Sequence, residues 1–374
     1  MKSPIHPARL IFLITTILLG TSAYPQAVDR STVSSCKWEA GMELHRGFII
    51  AHRPSMEYLQ RDHASMVAVS WMKQAEGNKD WQAHYRYPLW GFGYRFFDFG
   101  NTAEIGYGHA FTFQLSLPLL INTNYGLSVR SGVGVGYIEK PFDAGDNYKN
   151  LAIGSHMNGT ITTGIEGRLR LSKKLLVHSG IDFFHFSNGA ARMPNLGINI
   201  PSLYAGLRYS LIERSSDVIS TENRITTNNR KKYSVQLATG LKEKYPPGGP
   251  NYIIGSLQVQ YNHTRGQKGL FVAGFESILD RSLPAKLEED NLKGKIMDGQ
   301  LRIGFYAGAG LRLGRWDMSL QPGIYLLNEV KEDGDVYNRL QLKYHIPSGW
   351  SFSWGLKSHF ARADYFEWGV GYGF

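Results

Sequence analysis

The feature that most constrains the fold is a repeated run of roughly ten residues in which apolar side chains alternate with small or polar ones. Residues 125–137 are the clearest case. Their apolar face ends in tyrosines and consists of Tyr125, Leu127, Val129, Ser131, Val133, Val135 and Tyr137. Their other face is small or charged and consists of Gly126, Ser128, Arg130, Gly132, Gly134 and Gly136. Because successive strand residues point to opposite faces, the run predicts a two-faced β-strand.

Residues 301–313 repeat this alternation, and after the first 23 residues no apolar run approaches the ~18 residues of a spanning helix. An apolar face with aromatic ends, opposite a small or polar face, is typical of a membrane β-barrel. A soluble β-sandwich also alternates. The length of the runs and their aromatic ends favour the barrel. The glycines lack the GxGxxG spacing and the following helix of a phosphate-binding loop.

The N-terminus has the three parts of a secretory signal peptide. Lys2 and Arg9 give a basic start, residues 10–19 are mostly apolar, and residues 21–23 form a small-residue cleavage site. The apolar run is too short to cross a membrane comfortably as a helix. No cysteine follows it directly, which argues against a lipoprotein anchor. We therefore expect residues 1–23 to direct export.

Charge and cysteine content narrow the class of partner. The formal net charge is +10, which in an exported protein suits an anionic partner such as a lipid phosphate. The basic residues are scattered apart from residues 230–232, so no nucleic-acid partner is expected. Cys36 is the only cysteine, which excludes an internal disulfide and a cysteine-based zinc cluster. We expect neither a metal nor another cofactor.

The predicted strands form two groups. About eight precede residue 212, near 44–53, 64–73, 82–96, 103–120, 125–138, 157–171, 175–188 and 200–211. A polar stretch over 212–232 interrupts the pattern, and about eight more strands follow. We therefore expect an N-terminal segment over 24–40, an eight-strand half over 41–211, a linker over 212–232 and a second half over 233–374.

The fold class is thus all-β, a transmembrane antiparallel β-barrel of about sixteen strands in two related eight-strand halves. One large barrel and two fused small barrels both fit this pattern. We favour the single barrel, because fusion would leave the first small barrel without a chain end of its own.

The final predicted strand has aromatic side chains at alternate positions. One face carries Phe366, Trp368, Val370, Tyr372 and Phe374. This ending resembles the signal that the outer-membrane assembly machinery reads, so we expect that machinery as a partner. Together with the signal peptide, it predicts the outer membrane of a Gram-negative bacterium as the location.

A candidate site lies at the end of the first half, in the segment His185-Phe186-Ser187-Asn188. His185 and Ser187 are two residues apart and therefore share a strand face. They share it with Ile181 and Phe183, and the corresponding face of the next strand is also apolar. We therefore expect His185 and Ser187 to point towards lipid. If the next strand extends back through the proline at 201, Asn199 lies on the same face.

Polar groups that face lipid are costly unless they interact with one another or with a lipid substrate. A histidine beside a serine is also the minimum arrangement for an activated hydroxyl nucleophile. His185 and Ser187 are therefore candidates for a general base and a nucleophile. A plain pair of polar side chains at the membrane interface is the alternative.

The pattern His-x-Ser-Asn, then Asn-x-Gly-Ile and a strand of the type Ser-Leu-x-x-Gly-Leu-x-Tyr, resembles the active-site region of the PagL-type lipid A 3-O-deacylases, often called acyloxyacyl hydrolases. The resemblance covers residues 40–211, and its specific part is residues 182–209. It implies an eight-stranded outer-membrane barrel that removes an ester-linked acyl chain from lipid A. It further implies that Ser187 is the nucleophile, His185 the general base and Asn188 a contributor to the oxyanion hole.

The sequence departs from this family at one position, where Asn199 replaces the glutamate of the catalytic triad. An asparagine can orient a histidine by hydrogen bonding, but it lacks the charge that stabilises an imidazolium. The departure leaves a slow enzyme, a substitute acid or a degenerate site open. Asp182 is the nearest carboxylate in sequence, but its parity places it on the opposite strand face.

Two further residues have weaker assignments. Arg192 lies in the intervening loop and is a candidate contact for a lipid phosphate, because a guanidinium binds phosphate through paired donors. A solvated loop residue is the alternative. His359 occupies the matching place in the second half, but Ala361 stands where a serine would be needed. We therefore predict that His359 is structural and that the second half has no site.

The favoured function is an outer-membrane serine esterase that acts on lipid A or lipopolysaccharide, with outer-membrane lipid as its surroundings. The first alternative is a non-catalytic barrel, either a pore or a scaffold, with a degenerate site. The second is a phospholipase-like esterase that would use Ser187 on a glycerophospholipid.

Overall fold

A computed structural model describes residues 38–211, 232–244, 246–289, 294, 296–331, 333–360 and 362–374. The predicted signal peptide over residues 1–23 and nearly all of the predicted linker over 212–232 lie outside the described residues. Within these ranges the chain has sixteen antiparallel strands, which form two closed barrels of eight strands each. Among the described residues, no helix combines the length and the apolarity needed to cross a membrane.

The first barrel consists of consecutive strands, each paired with the next. Its strands are β1 Trp38–Gly47, β2 Ala64–Gln74, β3 Leu89–Asp98, β4 Tyr107–Ile121, β5 Tyr125–Ile138, β6 Met157–Arg170, β7 Leu175–Ser187 and β8 Ile198–Ser210. A 3-10 helix, Pro54–Leu59, follows β1, and a short helix α1, Asp80–His84, precedes β3.

The second barrel has the same order of neighbours. Its strands are β9 Tyr233–Glu243, β10 Asn251–Arg265, β11 Gly269–Asp280, β12 Leu301–Leu313, β13 Trp316–Leu327, β14 Val336–His345, β15 Trp350–His359 and β16 Arg362–Gly373. Helix α2, Leu283–Glu289, and a 3-10 turn, Met297–Gly299, lie between β11 and β12.

The all-β fold with sixteen strands in two eight-strand halves is confirmed, but the preference for one large barrel was wrong. Strand β8 pairs with β1 from Ser210↔Glu39 to Ser202↔Gly47. Strand β16 pairs with β9 in the same way, from Phe366↔Leu241 to Gly373↔Ser234. Closure needs only that the first and last strands of a half pair with each other. The first barrel therefore does not need a chain end of its own.

The boundaries of β1 also differ from the prediction of 44–53. The strand covers Trp38–Gly47, and residues 48–53 form a loop. Glu39 and Glu43 lie on its buried face. Both carboxylates are buried because they pair with lumen arginines, Glu43 with Arg130 and Glu39 with Arg208. These pairs join strands that are distant in sequence, so local alternation does not indicate them.

The lumen of the first barrel is crossed by buried ion pairs. Glu43 is 3.1 Å from Arg130 and 3.7 Å from Arg95. Glu166 is 3.3 Å from Arg130 and 3.1 Å from Arg208. Buried charges are tolerated only when they are paired and hydrogen-bonded. The strands therefore hold one another across the lumen as well as through the sheet.

Next to this charged layer the lumen is filled by apolar side chains. Phe97, Phe99, Phe184 and Phe186 pack together, with ring centroids 4.8–5.8 Å apart. Phe184 and Phe186 are 1% and 0% exposed, so the even-numbered residues of β7 face the lumen. Ile198 and Ile200 of β8 belong to the same cluster. The end of the barrel that carries the candidate site is therefore solidly packed.

The outer surface of the first barrel is apolar, as the alternation predicts. Ile181 and Leu203, which are paired neighbours on β7 and β8, are 60% and 66% exposed. Val133 and Val135 of β5 are also exposed. Exposed aliphatic side chains over such an area are typical of a surface in contact with lipid or protein.

The second barrel has its own lumen network. Glu276 contacts Arg339 and Lys357, and Arg339 also lies 2.7 Å from Glu367. Lys242 lies between Asp280 and Asp364, 2.8 Å from each. Four buried tyrosines pack around these charges, namely Tyr306, Tyr325, Tyr337 and Tyr365.

The ion pairs of the first lumen make a testable prediction. The substitution Glu166→Gln removes the counter-charge shared by Arg130 and Arg208 and leaves both guanidinium groups buried. We expect the free energy of unfolding to fall by about 3 kcal/mol, measured by urea unfolding of the full chain in detergent micelles. Glu57→Gln, at an exposed position of the 3-10 helix, is the control and should stay within about 0.5 kcal/mol of the wild type. Equal stability of the two variants would contradict a structural role for the network.

Candidate active site

The structure places His185, Ser187 and Asn199 on the outer face of β7 and β8, and it brings His185 and Asn199 into contact. The register pairs Phe183 with Pro201 and His185 with Asn199, so β8 does extend back through the proline. His185 and Asn199 are half-buried, and Ser187 is 3% exposed. Ser187 is covered although it lies on the outer face, because the segment between β7 and β8 folds against it.

The bond between His185 and Asn199 sets the tautomer of the histidine. His185 Nδ1 is 2.7 Å from Asn199 Oδ1, and an amide oxygen can only accept a hydrogen bond. Nδ1 therefore carries the proton, and Nε2 keeps its lone pair. A general base needs this tautomer, and the acidic member of a catalytic triad normally imposes it.

Asn195 contacts the serine and was missed among the predicted site residues. Its Nδ2 is 3.0 Å from Ser187 Oγ, and the serine hydroxyl lies 3.3 Å from its Oδ1. The backbone N–H of Asn188 also donates to Asn195 Oδ1, at 3.0 Å. The Asn-x-Gly-Ile pattern contains Asn195, but its sequence distance from Ser187 gave no indication of contact.

The side chain of Asn188 stabilises the loop. Its Nδ2 donates to Ser155 Oγ and to the carbonyl of Arg192, both at 2.9 Å, and its Oδ1 accepts from the Arg192 N–H at 3.4 Å. Its backbone N–H, rather than its side chain, points to the group that contacts Ser187. Arg192 lies at the exposed surface of this loop.

Gly197 limits the position of the His185 ring. It has a φ of +82°, a conformation that favours glycine. A Cβ at this position would lie 2.8 Å from His185 Cε1. Its N–H also donates to the carbonyl of Ala152 at 2.9 Å. The ring of His185 is therefore packed directly against the backbone of the segment before β8.

The remaining charged candidates lie on the lumen side. Asp182 is buried and 3.4 Å from Arg95, so it cannot substitute for the missing triad carboxylate. Two close groups of side chains resemble the ligands of a cation. One consists of Glu43, His45 and Asp182, and the other of Glu43, Glu166 and His178. These groups also contact arginines, whose positive charge makes them an ion-pair network rather than a cation site.

His359 points into the lumen of the second barrel, whereas His185 points outwards from the first barrel. Its Nε2 is 3.0 Å from Tyr325 Oη, and the side chain is 7% exposed. Gly180 and Gly355 both face a lumen. His185 follows Gly180 by an odd number of residues, whereas His359 follows Gly355 by an even number. The parity of the spacing therefore accounts for the opposite directions.

The packing of Gly197 against His185 makes a prediction about Ser187. Gly197→Ala forces either the backbone or the His185 ring to move, because the new methyl group overlaps Cε1. We expect the rate at which a fluorophosphonate probe labels Ser187 to fall by about tenfold or more. Gly145→Ala, whose Cβ would meet only the Asp143 carboxylate at 3.4 Å, is the matched control and should label at the wild-type rate.

Comparisons with known protein families match two stretches of the chain. The family model for lipid A 3-O-deacylase (PagL) matches residues 65–208, which include His185, Ser187 and Asn199. The model for the acyloxyacyl hydrolase C-terminal domain matches residues 231–374. Among curated proteins, no sequence matches.

Solved structures of porins are also similar over most of the chain. A triple mutant of the Rhodopseudomonas blastica porin is 8% identical with a TM-score of 0.19, and a double mutant of the same porin is 11% identical with a TM-score of 0.20. Each alignment covers 90% of this chain and 99% of the porin. At these TM-scores the likeness supports no argument. The two family matches together cover most of the strands of both barrels, and the chain belongs to the PagL-type lipid A 3-O-deacylase family of carboxylic ester hydrolases.

Proposed function

We propose that the first barrel is an outer-membrane serine esterase that hydrolyses an ester-linked acyl chain of lipid A. Ser187 is the nucleophile, His185 the general base and Asn199 the group that orients it. The observation that carries the proposal is the 2.7 Å hydrogen bond between His185 Nδ1 and Asn199 Oδ1. His185 is two residues from Ser187 on the same outward face of β7. The hydrogen bond leaves Nε2 unprotonated, as a base must be.

The proposed reaction has two halves. Ser187 Oγ attacks the ester carbonyl carbon while His185 Nε2 takes the hydroxyl proton, and a tetrahedral oxyanion forms. When the ester C–O bond breaks, His185 gives the proton to the sugar oxygen, which leaves as a hydroxyl group, and the acyl chain stays on Ser187. Water, deprotonated by His185, then attacks the carbonyl carbon of the acyl-enzyme. The bond from this carbon to Ser187 Oγ breaks, His185 returns the proton to Ser187 Oγ, and the fatty acid is released.

The oxyanion needs hydrogen-bond donors close to Ser187 Oγ. Asn195 Nδ2 lies 3.0 Å from this atom, and the Asn188 N–H donates to Asn195 Oδ1, which holds the Asn195 amide in place. Donors placed in advance at a developing negative charge contribute on the order of 3 kcal/mol each to the rate. We therefore propose the Asn195 NH2 group as a donor of the oxyanion hole, and Asn188, to which the family resemblance gives a part in this hole, as the residue that holds the Asn195 amide in place.

The direction of the site suits a lipid substrate. Below the pair of His185 and Asn199, the same strand faces carry Ile181 and Leu203, which are among the most exposed aliphatic residues of the first barrel. An acyl chain lying against them would bring its ester to Ser187 from the membrane side. Arg192, on the exposed loop, is placed to contact a lipid phosphate.

The filled lumen argues against the alternative of a pore through the first barrel. Its ion pairs and its phenylalanine cluster occupy the barrel interior. The signal peptide over residues 1–23 and the aromatic strand β16 support export and insertion by the outer-membrane assembly machinery of a Gram-negative bacterium. Lipopolysaccharide is then the substrate and the surrounding lipid at once.

Mass spectrometry of lipid A tests the proposal. Lipid A extracted from cells that express the wild-type protein should lack one ester-linked acyl chain. Lipid A from cells that express Ser187→Ala should keep it. Ser179→Ala, an exposed serine on the same face of β7, is the control and should behave as the wild type. Unchanged lipid A in wild-type cells, with the protein correctly inserted, refutes the proposal. Loss of acyl chains from glycerophospholipid alone would instead identify a phospholipase.

The replacement of the family glutamate makes a second prediction. Asn199→Glu, or the isosteric Asn199→Asp, places a negative charge beside His185 Nδ1 and stabilises the imidazolium that forms in the transition state. We expect kcat for ester hydrolysis to rise by tenfold or more, since removing the charge from a triad elsewhere costs about 10⁴. A fall in kcat for both variants, in folded protein, would show that the amide itself is needed.

A further inference from the structure

The loop after β1 lies directly beside Asn199. The Phe48 N–H donates to the Pro201 carbonyl at 3.4 Å, and the Ile50 N–H donates to the Asn199 carbonyl at 2.9 Å. The pairing of β1 with β8 therefore continues beyond the last residue of β1. Ile49 is 1% exposed and packs in the apolar lumen layer, which anchors this loop from the other side.

This anchoring brings His52 to the site. His52 Nδ1 is 3.3 Å from Asn199 Nδ2, while Asn199 Oδ1 contacts His185. The amide of Asn199 thus lies between two imidazole rings. An amide nitrogen can only donate, so His52 Nδ1 must accept and its proton resides on Nε2. His52 Nδ1 also lies 3.4 Å from the Ile50 carbonyl oxygen. A hydrogen bond to that oxygen would need a proton on Nδ1, and a protonated Nδ1 could not accept from Asn199.

The orientation of Asn199 decides whether His185 can act as a base. The amide oxygen and nitrogen have nearly the same shape, so rotation of the amide by half a turn exchanges them. In the exchanged orientation the NH2 group would face His185 Nδ1, which would then have to accept. The proton would move to Nε2, where it prevents the histidine from accepting the Ser187 proton. Rotation of a carboxylate would not change the tautomer of His185, because its two oxygens are equivalent acceptors.

We propose that His52 is a positioning residue of the esterase site, which holds the Asn199 amide with its oxygen towards His185. The inference rests on the proposed function for Ser187 and His185, and it deepens it. Accepting a hydrogen bond from the amide nitrogen also increases the negative charge on the amide oxygen. His52 thereby supplies part of what a glutamate at position 199 would provide alone.

Two substitutions at His52 test the role. His52→Leu removes the acceptor at nearly constant size, and His52→Asn keeps one, because Oδ1 of an asparagine occupies the place of a histidine Nδ1. The readout is the rate constant with which a fluorophosphonate labels Ser187 in the full chain folded in detergent. We expect His52→Leu to label about tenfold more slowly and His52→Asn to recover to within about threefold of the wild type.

The double variant separates orientation from simple packing. In the Asn199→Asp background the carboxylate needs no orientation, so adding His52→Leu should change the labelling rate by less than about twofold. His63→Leu, an exposed histidine in the same segment that contacts Asp62, is the control and should label as the wild type. Wild-type labelling by His52→Leu, no recovery in His52→Asn, or an equal loss in both backgrounds would each overturn the proposal.

The probe keeps this test distinct from that of the function. If the wild type deacylates no lipid A but the labelling rates follow the expected order, the proposed substrate is wrong and the role of His52 stands. If lipid A is deacylated and His52→Leu labels normally, the function stands and the role of His52 is refuted. If Ser187 of the folded wild type does not react at all, the serine is not activated and both proposals fall.

Discussion

The strict two-residue period of a β-strand is the constraint on which the site depends. In β7, Phe184 and Phe186 point into the lumen, where they are almost fully buried, and His185 and Ser187 consequently point outwards. The lumen packing fixes the strand register, since a shift by one residue would place the histidine and serine inside and the phenylalanines outside. The energy that holds the barrel together therefore also determines where the polar pair faces.

The same period explains how much of the structure could be predicted. Alternation along residues 125–137 and 175–188 identified the strands, their faces and the outward direction of His185, because these are local properties. The choice between one barrel and two depends on whether residue 210 pairs with residue 39, which is a contact across the whole half. No local pattern indicates which distant strand pairs with β8. The expectation that a small barrel needs its own chain end therefore led to the wrong choice.

The residues of the site also divide into those that strand parity predicts and those that it does not. His185, Ser187 and the paired Asn199 follow from the parity of two consecutive strands. Asn195 and His52 come from loops, where side-chain direction follows no period, and His52 is far from Asn199 in sequence. Its place is set by the Ile50 N–H bond to the Asn199 carbonyl and by the burial of Ile49. Both depend on the closure of the barrel, which the sequence alone did not resolve.

The exchange of a triad carboxylate for an amide changes what the surroundings must supply. A carboxylate brings both charge and an acceptor that is the same in either orientation, whereas an amide brings only a dipole whose direction matters. In this chain the amide lies between His185 and His52, and each contact suits one end of that dipole. In the proposed site the His185 tautomer then depends on the hydrogen bond that the Asn199 NH2 group donates to His52, in the loop after β1. In a site with the glutamate, the strand pair of β7 and β8 would be sufficient. In the proposed mechanism the activity is thus coupled to the closing strand pair of β1 and β8, because that pair brings His52 to the amide.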